Sequence, residues 1–214
     1  MSMIRATHAQ PETPKDEIPF NISPEVKKQI EMLYSTNVNE RIDAVGALGG
    51  MREKAAAVAP FLVELLKDGE MRGRVIYALG EMKDARAVDP LISVLKDSNV
   101  EIKISVIRAL GLIHDARAVE PLISVLNDPN REIVMQTIEA LRWLYDSRAV
   151  EPLILFLKDK DPGIRMSVLF ALGEMKDARA VEPLISLLDD KDELLRAHTI
   201  GAFGKYETSV RSGL

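Results

Sequence analysis

Residue types that catalyse reactions or bind metals are sparse in this sequence of 214 residues, and they are not grouped. There is no cysteine, which excludes disulfides, thiolate metal sites and a cysteine nucleophile. The three histidines, His8, His114 and His198, lie far apart, and no His-Glu dipeptide, HExxH motif or glycine-rich phosphate loop occurs. No local arrangement of serine, histidine and aspartate predicts an activated nucleophile. We therefore predict a protein that is not an enzyme and that binds no metal or other cofactor.

The composition is that of an ordinary globular protein, with 47% hydrophobic and 29% charged residues and a formal net charge of −5. No apolar run approaches the roughly 18 to 20 residues that a membrane-spanning helix needs, and no signal peptide is visible at the start. The mildly acidic balance argues against nucleic-acid binding, which requires a basic surface. We expect a cytoplasmic protein that binds neither membranes nor nucleic acids.

The elements that position the side chains come from a repeat of 31 residues. The stretch Ala78–Asp97, ALGEMKDARAVDPLISVLKD, returns with few changes at Ala109–Asp128, Ala140–Asp159 and Ala171–Asp190. An Ala-Leu pair begins at positions 47, 78, 109, 140 and 171, and Ala202-Phe203 is the last member. A fixed period of this size is typical of stacked-repeat architectures.

Each repeat has the pattern of two helices, which we call helix A and helix B. In the first repeat, Ser23 followed by Pro24 predicts the start of a helix that runs to about Tyr34, and a second helix is predicted from about Glu40 to Met51. In later repeats, helix A follows an aspartate that can cap it. The proline about six residues further on either bends helix A or marks its true start. Six such pairs predict an all-α fold, a right-handed α-solenoid or superhelix, over residues 23–206, with flexible tails at 1–22 and 207–214.

The repeated motif resembles the short HEAT-like repeats named after phycobilisome lyases, over about residues 24–206. The motif is D-x-R-A-V-x-P-L-I-x-x-L, then an aspartate and, six residues later, an arginine, followed by A-L-G. The six-residue pairs are Asp159/Arg165 and Asp190/Arg196, with Asp97/Lys103 as a variant. In the families that the chain resembles, such pairs form an Asp–Arg ladder that links successive repeats. Val134 stands where the fourth repeat should have the arginine, so we expect an interrupted ladder there.

The resemblance also brings alternatives from other functional classes. Deoxyhypusine hydroxylase holds two irons with His-Glu pairs, but here the matching dipeptides are Gly80-Glu81 and Gly173-Glu174, which lack the nitrogen ligands. A tetrapyrrole (bilin) lyase or chaperone would use a concave groove, and no particular residue supports or excludes one. Nucleic-acid binding, as in HEAT-like glycosylases, would need a basic groove.

In these families the B helices line the concave face, where partners bind. Aligning the B helices on the Ala-Leu pair gives one column that is always aliphatic and therefore predicted as core: Val45, Ile76, Ile107, Ile138, Leu169 and Ile200. Three varied columns share one helix face, and they hold seven of the residues that we predict to bind a protein or peptide: Arg74, Tyr77, Arg108, Gln136, Glu139, Trp143 and Phe170. Arg142, which flanks this surface, is the eighth. The alternative for Trp143 and Phe170 is that they fill gaps between repeats.

We also make predictions for the glycine column and for the C-terminal end of the solenoid. The residue after each Ala-Leu or Ala-Phe pair is glycine in every repeat except the fourth, where it is Arg142, and we expect these glycines to allow close contact with a neighbouring backbone. No polar capping helix is evident after Phe203, although solenoids usually have one. Three explanations stay open: helix B of the sixth repeat is amphipathic enough by itself, the end docks on another copy, or the chain is truncated. An end-to-end homodimer is therefore one expectation.

Overall fold

Helices are the only regular secondary structure in the part of the chain that the computed structural model describes, which is residues 10–19, 21–51 and 55–211. The described residues fall into two compact units, one ending at Ile113 and the other beginning at His114. Parts of both predicted tails lie outside the described residues. None of the described helices is both long and apolar enough to cross a membrane. The all-α prediction is confirmed.

Unit 1 contains the first three helix pairs. Repeat 1 consists of α1 (Pro24–Met32) and α2 (Val38–Gly49), repeat 2 of α3 (Ala55–Glu64) and α4 (Arg72–Met82), and repeat 3 of α5 (Val88–Val94) and α6 (Val100–Ile113). Odd-numbered helices are the A helices and even-numbered helices are the B helices. The first two helices end two residues before the predicted ends, and α2 also begins two residues before its predicted start.

Unit 2 contains the other three pairs. They are α7 (Val119–Val125) with α8 (Arg131–Leu144), α9 (Val150–Leu155) with α10 (Pro162–Met175), and α11 (Val181–Ile185) with α12 (Glu193–Arg211). Helix α12 runs five residues past position 206, where the sequence pattern placed the end of the repeats.

In repeats 3–6, the aspartate before the A helix caps a short 3-10 turn, and the α-helix follows that turn. In repeat 3, the Asp84 side chain accepts a hydrogen bond of 2.9 Å from the backbone N–H of Arg86, and the turn Ala85–Ala87 leads into α5. Pro90 is therefore the third residue of α5, where a backbone N–H has no partner within the helix in any case. The proline marks the start of the helix and does not bend it. Pro60 differs, because it lies inside α3.

Four B helices end on a residue with positive φ that is not glycine. These residues, with φ between 52° and 61°, are Lys83, His114, Tyr145 and Lys176. The left-handed conformation at a helix C-terminus is usually taken by glycine, so the residue types gave no signal of it. His114 is exposed next to the end of α6, as predicted.

The aliphatic column of the B helices forms the core, with one exception. Its first five members are buried: Val45, Ile76, Ile107, Ile138 and Leu169. The prediction is wrong for Ile200, which is 66% exposed. Helix α10, which carries Leu169, packs against α12, whereas no described helix follows α12 to cover Ile200.

Neighbouring B helices approach each other closely at the glycine that follows the Ala-Leu pair. A Cβ atom on Gly49 would lie 2.8 Å from the Cβ of Ala78, and one on Gly80 would lie 3.0 Å from the Cα of Ala109. At Gly173 the spacing is wider, with 3.4 Å to the Cβ of Ala202. The predicted role of these glycines is confirmed most clearly at the two positions in unit 1.

The Asp–Arg ladder links successive repeats within each unit. Arg165 donates to the backbone carbonyl of Asp159 in its own repeat (3.0 Å) and to the carboxylate of Asp190 in the next repeat (3.2 Å). Arg72 reaches Asp97 in the same way, at 2.7 Å. The ladder arginine thus ties the loop within one helix pair to the corresponding loop of the following pair.

The interruption predicted in the fourth repeat is not observed. Arg131, three residues before Val134 on α8, forms the ion pair with Asp159. A gap occurs instead between repeats 1 and 2. There Arg41 is fully buried, and its Nη2 atom and the Oδ2 atom of Asp68 each have no hydrogen-bond partner.

The D-x-R motif forms a second set of links that the sequence analysis missed. The Arg179 guanidinium donates to both carboxylate oxygens of Asp177, through Nε at 2.9 Å and Nη2 at 2.7 Å. Its Nη2 atom also donates to the carbonyl of Ser147 in the preceding repeat, at 2.9 Å. Arg148 repeats this arrangement with Asp146. Hydrogen bonding to these arginines lowers the pKa of Asp146 and of Asp177 to about 2.

Candidate binding surfaces

Unit 1 presents three of the predicted residues, and two of them flank a groove between the B helices of repeats 1 and 2. Arg74 and Tyr77 lie three residues apart on α4, so they share one helix face, and Glu81 follows four residues later on that face. The Tyr77 side chain is 69% exposed. Arg74, Tyr77 and Glu81 line a groove of about 540 Å³ between α2 and α4.

Small residues make this groove possible. Gly46 and Gly49 on α2 and Gly73 on α4 lie along it, and a Cβ atom on Gly46 would meet nothing within 4 Å. The groove therefore has a floor of backbone and small side chains and a wall formed by the Tyr77 ring. Its two charged residues, Arg74 and Glu81, have opposite signs. This arrangement can hold an apolar or aromatic side chain of a partner and give it polar contacts on both sides.

Arg108 is the third predicted residue in unit 1. It is exposed on α6, at the position that matches Tyr77 on α4, and α4 packs against α6. The structure therefore places Arg108 on the B helix next to the one that carries Tyr77.

Unit 2 contains the other five predicted residues, and three acidic and basic groups of its B helices form a cluster. Arg142 donates to Glu139, one turn earlier on α8, and to Oε2 of Glu174 on α10 at 2.5 Å. Hydrogen bonds, first to Glu139 and then to Glu174, raise the pKa of Arg142 above its ordinary range. Because two carboxylates share one guanidinium, the cluster keeps a net negative charge and Arg142 is already paired.

Gln136 and Trp143 are half-buried on α8, the helix that also carries Glu139 and Arg142. Their partial burial agrees with either prediction made for Trp143, since a half-buried ring can fill a gap between repeats and still present an edge. The structure does not expose Trp143 in the way it exposes Tyr77.

A second groove lies between α10 and α12. Phe170, which is 44% exposed, meets the ring of His198 edge to face, with ring centroids 5.5 Å apart and an interplanar angle of 84°. The groove has a volume of about 380 Å³, and Gly173 and Gly201 lie along it. The Nδ1 atom of His198 lies 2.7 Å from the carbonyl oxygen of Leu194, which can only accept, so Nδ1 donates there. The predicted list omitted His198, although this residue lies in one of the varied columns.

The eight predicted residues are thus divided between the two units. Arg74, Tyr77 and Arg108 belong to unit 1, and the other five belong to unit 2. In the described residues, no group of three or more histidine and acidic side chains could hold a metal ion.

Comparisons with known proteins agree with this architecture. A family model for HEAT repeats matches residues 26–101, 88–156 and 150–212. A search of curated proteins finds no match to the chain.

Solved structures share the fold at low sequence identity. One is the complex of CpcE and CpcF of phycocyanin lyase from Nostoc sp. PCC7120, with 22% identity, a TM-score of 0.61, and coverage of 92% of this chain and 82% of that one. Another is a designed armadillo repeat protein in complex with the peptide (KR)4, with 20% identity, a TM-score of 0.61, and coverage of 85% and 99%. A computationally designed armadillo repeat protein for modular peptide recognition has 19% identity, a TM-score of 0.57, and coverage of 84% and 98%.

Proposed function

Because the chain belongs to the HEAT-repeat family, we propose that it is a non-enzymatic scaffold that binds a protein or peptide through the surfaces of its B helices. The observation that carries this proposal is Tyr77, a large aromatic side chain that stands exposed beside a groove and between two opposite charges. Aromatic residues in such positions are over-represented among the residues that contribute most to protein binding.

In unit 2, the groove beside Phe170 and the cluster around Arg142 have different parts in the proposal. The groove takes an apolar side chain of the partner against the Phe170 ring. The Arg142 guanidinium holds Glu139 and Glu174 in place, and it does not itself pair with an acidic group of the partner. The net negative charge of the cluster favours a partner segment with basic residues.

Two of the similar structures are complexes, one of CpcE with CpcF and one with the peptide (KR)4. They support the proposal by showing that a fold of this kind can hold a protein or peptide partner. Which partner this chain binds does not follow from them.

The test is a selection of peptides from a displayed random library on the whole chain, followed by affinity measurement with three variants. Tyr77→Ala and Phe170→Ala remove exposed rings without opening the core, so each variant should fold like the wild type. Loss of a residue central to binding corresponds to about 30-fold or more in Kd. The matched control is Leu155→Ala, since Leu155 is 77% exposed but belongs to an A helix.

Selected peptides that keep full affinity for both ring variants, or that lose it only with Leu155→Ala, would place binding elsewhere. Failure to select any peptide would contradict peptide binding. The tetrapyrrole alternative makes a distinct prediction, because a bilin held in either groove would shift and sharpen its visible absorbance on mixing with the protein. Such a shift, abolished by Phe170→Ala or Tyr77→Ala, would replace the peptide proposal.

We also propose that two copies associate through the outer side of repeat 6. Four large apolar side chains of repeat 6 are exposed, Ile185, Leu188, Leu194 and Ile200, although the residues that match Leu188 in repeats 3–5 are buried. Sedimentation analysis should show a dimer that Ile200→Lys dissociates, since a charge would then be buried in the contact. A monomer at all concentrations would refute this association.

A further inference from the structure

Residues 10–19, which we call the strap, lie against the C-terminal ends of the A helices α1 and α3. The strap has one 3-10 turn, Lys15–Glu17, and is otherwise irregular. Its contacts are made with Tyr34, just after α1, and with Glu64 and Lys67 at the end of α3. It therefore bridges repeats 1 and 2 on the side that carries the A helices.

Thr13 is the centre of this contact, and all its polar groups are bonded. Its backbone N–H donates to Oε2 of Glu64 at 3.0 Å, and its hydroxyl donates to Oε1 of the same carboxylate. Its carbonyl accepts a hydrogen bond from the Tyr34 hydroxyl. These groups are partly buried, which strengthens hydrogen bonds to a charged carboxylate. One threonine is thus recognised through three hydrogen bonds by two side chains.

Apolar and charged contacts flank Thr13 on both sides. Pro11 and Ile18 are buried, and the Lys15 ammonium lies 5.2 Å from the centre of the Tyr34 ring. Glu12 pairs with Lys67 at 2.8 Å, but both side chains are largely exposed, so this pair adds little. The buried anchors and the threonine contacts together define a specific seat.

Among repeats 2–6, only repeat 2 has an acidic residue at the position of the carboxylate that binds Thr13. Glu64 lies four residues before Asp68, and the residues four before the matching aspartates of repeats 3–6 are Ser93, Ser124, Leu155 and Ser186. The three serines donate to a carbonyl of their own helix. An acidic side chain at this position is not needed to build a repeat, so it is available for recognition.

We propose that this seat is a second recognition surface, for protein segments with the chemistry of Pro11–Ile18, and that the strap of the chain occupies it in cis. The partner is an irregular segment in which a threonine lies between an acidic and a basic residue, with apolar anchors at both ends. A strap tethered by a few residues is present at an effective concentration of about millimolar, so it keeps the surface covered against weak competitors. This proposal does not depend on the B-helix surfaces.

The test uses the whole chain and a fluorescent synthetic peptide with the sequence of residues 10–19, QPETPKDEIP. Thr13→Val weakens the strap but leaves the surface intact, because the valine side chain cannot donate to Glu64, whereas the backbone N–H still does. The peptide should bind this variant about tenfold or more tightly than it binds the wild type, as expected for loss of one hydrogen bond to a charged group. Fluorescence polarisation measures both affinities.

Two matched controls make the outcome specific. Adding Glu64→Leu, which introduces the residue found at the matching position of repeat 5, should abolish binding of the peptide to the Thr13→Val chain. A peptide with valine in place of its threonine should bind at least tenfold more weakly than the original. Equal binding to wild type and Thr13→Val, or binding that survives Glu64→Leu, would overturn the proposal. Dimerisation of Thr13→Val without peptide binding would also overturn it, in favour of a second copy as the occupant.

Discussion

The glycine at the close contact between α2 and α4 allows a direct test of how the B helices pack. In Gly49→Ala, the new methyl group would lie 2.8 Å from the Cβ and 3.0 Å from the Cα of Ala78. Carbon atoms pack best at about 3.5–4.0 Å, so the two helices must separate by roughly 0.7 Å or more. The neighbouring atoms belong to or adjoin the backbone, and no flexible side chain can move aside.

The expected free-energy change follows from two opposing terms. Overpacking of a close-packed interface destabilises by about 1–3 kcal/mol. The usual gain from replacing a helical glycine by alanine, up to about 1 kcal/mol, is small here because Gly49 is the last residue of α2. The same change at Gly46, on the same helix but with nothing within 4 Å of the new methyl group, should keep that gain. The two variants should therefore differ in stability by about 2–3 kcal/mol, with opposite signs relative to the wild type.

Urea unfolding followed by far-UV circular dichroism measures both variants. Ala78→Gly removes the methyl group that Gly49→Ala would meet, so the double variant should be more stable than the sum of the single changes by about 1 kcal/mol or more. The reasoning is refuted if Gly49→Ala is as stable as Gly46→Ala, or if the Gly49→Ala and Ala78→Gly effects simply add.

Lowering the pH from about 4 to about 2 should destabilise unit 2. Asp146 and Asp177 each have a pKa of about 2 in the folded protein, below the ordinary value of 3.8. Their contribution to the stability of the fold is therefore present above pH 4 and is lost as the carboxylates become protonated. Because their arginine partners are partly exposed, each aspartate should contribute about 1 kcal/mol to stability. In Asp146→Asn, Tm should therefore fall less as the pH is lowered. An unchanged dependence of Tm on pH would contradict the lowered pKa of Asp146. Lys176→Gly should stabilise the fold by about 0.5–1 kcal/mol, because it relieves the positive φ at the end of α10. The same change at Lys160, an exposed loop residue without positive φ, should not stabilise, and a gain there equal to that at Lys176 would argue against this cause.

The period, the helix pairing and most of the core could be predicted from the sequence because each depends on a column of similar residues. A column that is aliphatic in every repeat must face the core in most of them, and five of its six members do. The exposure of Ile200 could not be predicted in this way. Its residue type matches the aliphatic column, but its burial depends on whether another helix packs against α12. The left-handed ends of four B helices could not be predicted either, because Lys and Tyr, which stand at three of these ends, have no preference for positive φ.

The ladder shows why spacing rules fail at single positions. The expectation of an interruption at Val134 assumed that the arginine must stand at one fixed position. Arg131 lies almost one helical turn earlier on α8, and its long side chain reaches Asp159 from there. Conversely, Arg41 and Asp68 occupy ladder positions but leave one atom each unpaired. Side-chain reach and rotamer, which the sequence does not contain, decide whether a pair forms.

The proposals for the B-helix surfaces and for the seat of the strap rest on positions that depart from the repeat. A residue shared by all repeats is explained by packing, so residues that differ between repeats are where recognition can reside. Such a departure shows only where to look. Arg142 replaces the glycine of its column and was predicted as a contact for a partner, yet Glu139 and Glu174 already bind it. Glu64 replaces a serine or leucine and was not singled out, yet it binds Thr13 through both carboxylate oxygens. The two residues differ in what they bind. Arg142 binds two acidic side chains of the B helices, whereas Glu64 binds a threonine that lies 51 residues away in the sequence.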